Sequence, residues 1–330
     1  MGTLTEKKRI EFIDLAKGVC ILMVVVGHTI YFRIPGLNSM RMPLYFILSG
    51  LFFKDYGGFI NLLLKKINKI LVPFLFFYLM GYLLFYLFEW LTPGLIKSDA
   101  RSILDVFTQR QWFNGPIWFL LALFWANLMF CIVSLNIKKE AVRALIVGYI
   151  GVFGAALGKT EVFLPCNIDS AMTAIPFFYF GYLLKKTPLL YPNKYDKFNL
   201  LWVMLLYAIS VGIEIAFDNP RLGFHSNFIV GNYFVILCIS ITSVMAALFL
   251  CKIVKSLPFV SYFGRYSIIP LCVHHLIYRP IKLLLAQFNI LEGGYVAILT
   301  ILICWACIPL CIKFIPWFTA QKDLIVLKNK

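Results

Sequence analysis

Apolar residues run through this chain in long unbroken stretches separated by short polar gaps, with neither the alternation of strands nor the single wet face of soluble helices. Bounding each stretch by charge, Pro and Gly predicts ten helices, near 12–32, 42–56, 70–91, 115–135, 141–158, 171–185, 199–217, 230–251, 265–288 and 294–315. Most reach the roughly 20 residues that cross a bilayer; the second, fifth and sixth are short and read as tilted, broken or only partly spanning. A segment in hydrocarbon must satisfy its own backbone, so the fold class is all-α: a polytopic transmembrane helix bundle, a single integral-membrane domain over 1–330. The first run is too long for a signal-peptide core, and no small-residue cleavage site follows it.

Composition agrees. Of 330 residues, 61% are hydrophobic and 14% charged, and the mean hydropathy is +0.85. This excludes a soluble enzyme, a disordered chain, collagen and a disulfide scaffold. The net charge of +16 would suggest nucleic acid in a soluble protein, but the cations here fill the short gaps between spans. With the N-terminus inside, 21 Lys and Arg lie in inner segments and 7 in outer gaps. That bias places both termini in the cytoplasm and fits an even number of spans. No gap exceeds about 25 residues, so any chemistry belongs to the bundle itself.

Several polar groups interrupt the apolar runs. The first span carries Asp14, Lys17 and His28. Insertion of Lys or Asp near a span's centre costs roughly 2.5–3.5 kcal/mol, which marks such groups as functional candidates. Asp14 and Lys17 are spaced for an ion pair. Lys17 and His28, eleven residues apart, fall within about 20° of one helix face and about 16 Å apart along the axis. The polar-cavity reading competes with a simpler one, in which Lys17 snorkels to the inner headgroups and His28 lies in the outer interface. In residues 38–50, Pro43 suits a first helical turn, Arg41 is available to an acidic or hydroxyl-rich outer ligand, and Ser49-Gly50 permits close helix packing. Lys65, Lys66 and Lys69 form an inner basic run before Pro73, suited to lipid headgroups or to a pyrophosphate. His274 and His275 lie in the ninth span, about 100° apart, so one of the pair is expected to face a given cavity. No metal site is expected: HExxH and carboxylate clusters are missing, and Cys304-x-x-Cys307 reads as buried packing.

Taken in order, these segments resemble the acyltransferase-3 family of multi-pass membrane acyltransferases over nearly the whole chain. Lys17 and His28 are similar to its opening signature of a basic residue, ten residues and a histidine, with Lys where Arg is more frequent. RMPLYFILSG resembles its HMPLFFFLSG segment, with Arg41 in place of the frequent histidine. KKINKILVPF, GPIWFLLALF, NIDSAMTAIPFFYFGYLL and FGRYSIIPLCVHHLIY resemble four further blocks. The resemblance implies O-acyl transfer, usually of acetyl from acetyl-CoA, to a cell-surface glycan or lipid-linked sugar in the cytoplasmic (inner) membrane. Acetyl-CoA is then a donor substrate, and no tightly bound cofactor is implied. The expected roles are Lys17, Lys66 and Lys69 on the donor's phosphates, His28 as general base or acyl relay, and Asp14 holding Lys17. Arg41, Ser49, Trp118, His274 and His275 are expected to line the acceptor path. The alternative is a glycolipid or small-solute transporter, which needs no reaction at His28.

Overall fold

The computed structural model describes residues 10–30, 34–91, 93, 102–108, 112–287 and 293–326. Charges counted above at 7–9, Arg33, Lys97, Arg101, Arg110, Lys328 and Lys330 lie outside them, as do the ends of the first and ninth expected spans. The helices are α1 Glu11–Thr29, α2 Arg41–Leu51, α3 Phe59–Lys66, α4 Val72–Leu91, α5 Asp105–Thr108, α6 Trp118–Asn136 and α7 Glu140–Lys159. Then follow α8 Ile168–Leu184, α9 Asn199–Ala216, α10 Tyr233–Val254, α11 Pro258–Arg265, α12 Ile268–Gln287 and α13 Gly293–Phe314. Strands β1 Arg221–Gly223 and β2 Phe228–Val230 pair antiparallel in the outer loop between α9 and α10. Among the described residues, eight helical segments are long and apolar enough to cross a membrane.

All ten expected segments are helical, and their lengths correct the expectation in three places. The fifth is not short: α7 has 20 residues. The third begins earlier, because α3 and α4 run on through a π-helical turn, Ile67–Leu71, into one 33-residue helix, Phe59–Leu91. Pro73 lacks an N–H, and the widened turn just before it absorbs the break in the ladder, so the basic run is helical rather than a loop. The ninth corresponds to α12, and a separate short helix, α11, precedes it where no helix was expected.

The second span is the informative exception. Helix α2 has only 11 residues, about half a bilayer at 1.5 Å per residue. Residues 34–37 before it are irregular, followed by a single 3-10 turn, Asn38–Met40, and distant side chains satisfy the backbone at Gly36. Gly36 N–H donates to Glu214 Oε2 (2.5 Å), and Ser210 Oγ donates to Gly36 O (3.0 Å). Ser243 Oγ also donates to that carbonyl and lies 2.7 Å from Ser210 Oγ. Ser210, Glu214 and Ser243 are all buried. Irregular backbone at membrane depth survives only when protein groups replace the missing helical bonds, and these three do so.

Two pairs of glycines set the closest crossings. A Cβ on Gly50 would lie 1.8 Å from Phe178 O, and one on Gly181 would lie 1.8 Å from Ile47 O, so α2 and α8 touch backbone to backbone. Between α1 and α11, a Cβ on Gly264 would meet Asp14 O at 1.7 Å and one on Gly18 would meet Val260 O at 1.9 Å. Small residues permit such approach in a membrane bundle. These crossings fix α1, which carries the polar groups, against its neighbours.

Candidate functional site in an outward-facing cavity

Helix α1 holds the ends of the expected constellation. Near its inner end, Lys17 Nζ lies 3.9 Å from Asp14 Oδ1, and Tyr45 of α2 donates to Lys17 O at 3.0 Å. At its outer end His28 lines a cavity of about 430 Å³. Arg41, Asn38 and Trp118 face the same space, joined by Glu214 of α9 and by Arg221 and His225 of the hairpin. His28 is reachable from the cavity, whereas Trp118 is buried in its wall. The His225 ring meets Trp118 edge-on, with centroids 6.0 Å apart.

The structure brings both α12 histidines to His28 and places neither in the cavity wall, where one of the pair was expected. The ring centroid of His274 lies 5.3 Å from that of His28, and the centroid of His275 lies 5.7 Å away. Side chains 100° apart on α12 both reach His28 because its ring lies between them. Neither is part of the cavity wall; both stand behind His28. His274 Nδ1 contacts Pro270 O at 2.7 Å, and His275 Nδ1 contacts Phe113 O at 3.1 Å. A carbonyl oxygen only accepts, so each Nδ1 is the donor in its contact. Among the described residues no cluster of His, Cys, Asp or Glu is arranged to hold a metal ion.

The remaining expected residues lie elsewhere. Ser49 accepts a hydrogen bond from Asn127 Nδ2 (3.3 Å) between α2 and α6, away from the cavity wall. Lys69 and Lys65 are engaged by the C-terminal segment: Asp323 carboxylate oxygens lie 2.9 Å from each Nζ. Lys69 Nζ also donates to Ala320 O at 2.7 Å. Asn68 Oδ1 accepts the N–H groups of Leu324 and Ile325, both at 2.8 Å, and its Nδ2 donates to Ile325 O at 2.9 Å. Lys66 is half-buried on the same turn and takes no part in these bonds.

This docking has a testable pH signature. The hydrogen bonds from Lys69 and Lys65 hold the Asp323 carboxyl below its usual range. A depressed folded pKa contributes stabilisation that is complete above the free value, about 3.9, and is lost as pH falls through the folded value. The segment therefore stays docked across the neutral range, and Asp323→Asn loosens it there. Trypsin should cut after Lys322 several-fold faster in Asp323→Asn than in the wild type at neutral pH; equal rates would show that the two ion pairs do not hold the segment.

The residues that sequence reasoning missed are Glu214, Arg221 and His225. His225 was visible only as an outer-loop histidine; the short hairpin, and Asn167 Nδ2 donating to its carbonyl (3.1 Å), turn it to the cavity. Glu214, the one acid inside the seventh apolar run, was the available signal for a buried polar anchor.

A bundle with eight helical segments long and apolar enough to cross a membrane, among the described residues, defines a multi-pass membrane protein. The acyltransferase-3 family, described as an acyltransferase domain, matches residues 10–309, and the chain belongs to it: it is a membrane acyltransferase. No curated protein and no solved structure matches it.

Proposed function

We propose that this acyltransferase moves an acetyl group from acetyl-CoA to a hydroxyl of a cell-surface glycan or lipid-linked sugar, in the cytoplasmic (inner) membrane. The observation that carries this reading is the position of His28: it faces the outer cavity at one end of α1, while Lys17 stands on the same helix toward the inner side. The donor enters from the cytoplasm. Its phosphates meet Lys17 and Lys66, and Lys69 joins them when the C-terminal segment yields. Asp14 offsets and orients Lys17. The roughly 16 Å of helix between Lys17 and His28 suits an extended pantetheine arm.

His28 takes the proton of the acceptor hydroxyl as its oxygen attacks the thioester carbonyl; the C–S bond breaks, and the thiolate leaves with that proton as the new ester forms. Imidazole suits this task because its ordinary pKa lies near operating pH. His274 and His275 hold the His28 ring from behind. Trp118 and Arg41 border the acceptor. Ser49 has no direct part in this scheme and fixes α2 to α6 through Asn127.

Purified protein given labelled acetyl-CoA and host glycolipid should release CoA and place label on glycan. A transporter of the same glycolipid would leave acetyl-CoA intact. That outcome would overturn the transferase reading.

A further inference from the structure

We propose that the outer cavity recognises an acceptor sugar carrying an anionic group, a carboxylate or a phosphate, through the guanidinium of Arg41. This rests on the reading of the cavity as the acceptor site and goes beyond it by assigning the acceptor's charge.

Arg41 opens α2, is half-buried and lines the cavity. Its guanidinium lies against the helical turn that carries His28: a Cβ on Gly27 would meet Arg41 Nη1 at 2.3 Å. One donor is used, from Nη2 to Asn38 Oδ1 at 3.0 Å. Among the described residues no carboxylate pairs with Arg41. Glu214 is the one acid in the cavity wall, and its Oε2 accepts from Gly36 N–H. Arg221 adds a second cation at the hairpin side of the same space.

A guanidinium withdrawn from water without a counter-ion is costly, and its planar fork matches the two oxygens of a carboxylate or phosphate. A ligand anion would supply the missing partner. The place of the charge also matters. Because it lies beside His28, an anion bound there holds a neighbouring hydroxyl of the same sugar at the imidazole. Trp118 and His225 line the same space, their rings in edge contact.

The test measures equilibrium binding of three probes to the full-length protein in detergent: methyl glucoside, methyl glucuronide and glucose 1-phosphate. Both anionic probes should bind at least about tenfold more tightly than the neutral one, the worth of a charge-assisted hydrogen bond. The better of the two anions identifies carboxylate or phosphate as the source. Arg41→Gln should bring the ratio of anionic to neutral affinity close to one, and Arg41→Lys should retain part of it, with thermal midpoints confirming that both variants fold. Equal binding of all three probes by the wild type would overturn the inference. So would a loss in Arg41→Gln that is the same for neutral and charged probes, since it would assign Arg41 to cavity shape. Acetyl transfer to the same sugars separates the two readings. Preferential binding without transfer defeats the transferase mechanism and leaves the anion site standing; transfer that ignores charge does the reverse.

Discussion

Replacing His28 with alanine should reduce acetylation of glycan by at least about 10²-fold, within the 10²–10⁴ range typical of a lost general base. Its membrane insertion and helical content should stay as in the wild type. The size of the effect follows from the surroundings. His28 is the histidine of the three that both lies within the bundle and faces the cavity; His274 and His275 have their Nδ1 atoms committed to carbonyls and stand behind it. His225 lies across the cavity on the hairpin, on a different support from α1. The variant removes a side chain from an accessible cavity edge, so little packing is lost. Labelled acetyl-CoA with purified variant and wild type, alongside circular dichroism, checks both halves. Wild-type rates of glycan labelling in a folded variant would remove His28 from the chemistry.

Much of the fold was legible in the sequence because hydrocarbon imposes a simple demand: long apolar runs must be helices. The shared face of Lys17 and His28 was legible too, because eleven residues is a near-integral number of turns. What escaped depends on partners far away in the chain. The shortness of the second span is legible, but not what anchors the chain before it: Gly36 bonds to Glu214 and Ser210, which lie 178 and 174 positions further on. Similarly, the basic run reads locally as free cations awaiting an anion, yet Asp323, more than 250 residues later, already occupies two of them. Periodicity predicts the angle between His274 and His275 correctly, but not that a third ring would lie between them. His225 carries no local signal, because its direction comes from the turn between the two three-residue strands of the hairpin.

Gly264→Ala should destabilise the protein by about 1–3 kcal/mol or more, the usual cost of overpacking, and should lower transfer activity by disturbing Asp14 and Lys17. The added methyl would lie 1.7 Å from Asp14 O and 2.5 Å from Gly18 N. Both are backbone atoms of α1, so no rotamer change relieves the clash; one helix must move. The carbonyl struck belongs to Asp14, the ion partner of Lys17, so the strain reaches the donor-side cation directly. Here lies a physical reason for glycine in the FGRYSIIPLCVHHLIY block: it keeps α11 against the inner half of α1, from which α12 then carries His274 and His275 to the outer half. The same substitution at Gly148 of α7 provides the control, because a Cβ there meets nothing within 4 Å. Alanine should stabilise that helix by up to about 1 kcal/mol through propensity alone. Thermal midpoints in one detergent should therefore move in opposite directions for the two variants. If they moved together, helix propensity rather than the crossing of α1 and α11 would govern position 264, and the close approach would lose its role in holding Lys17.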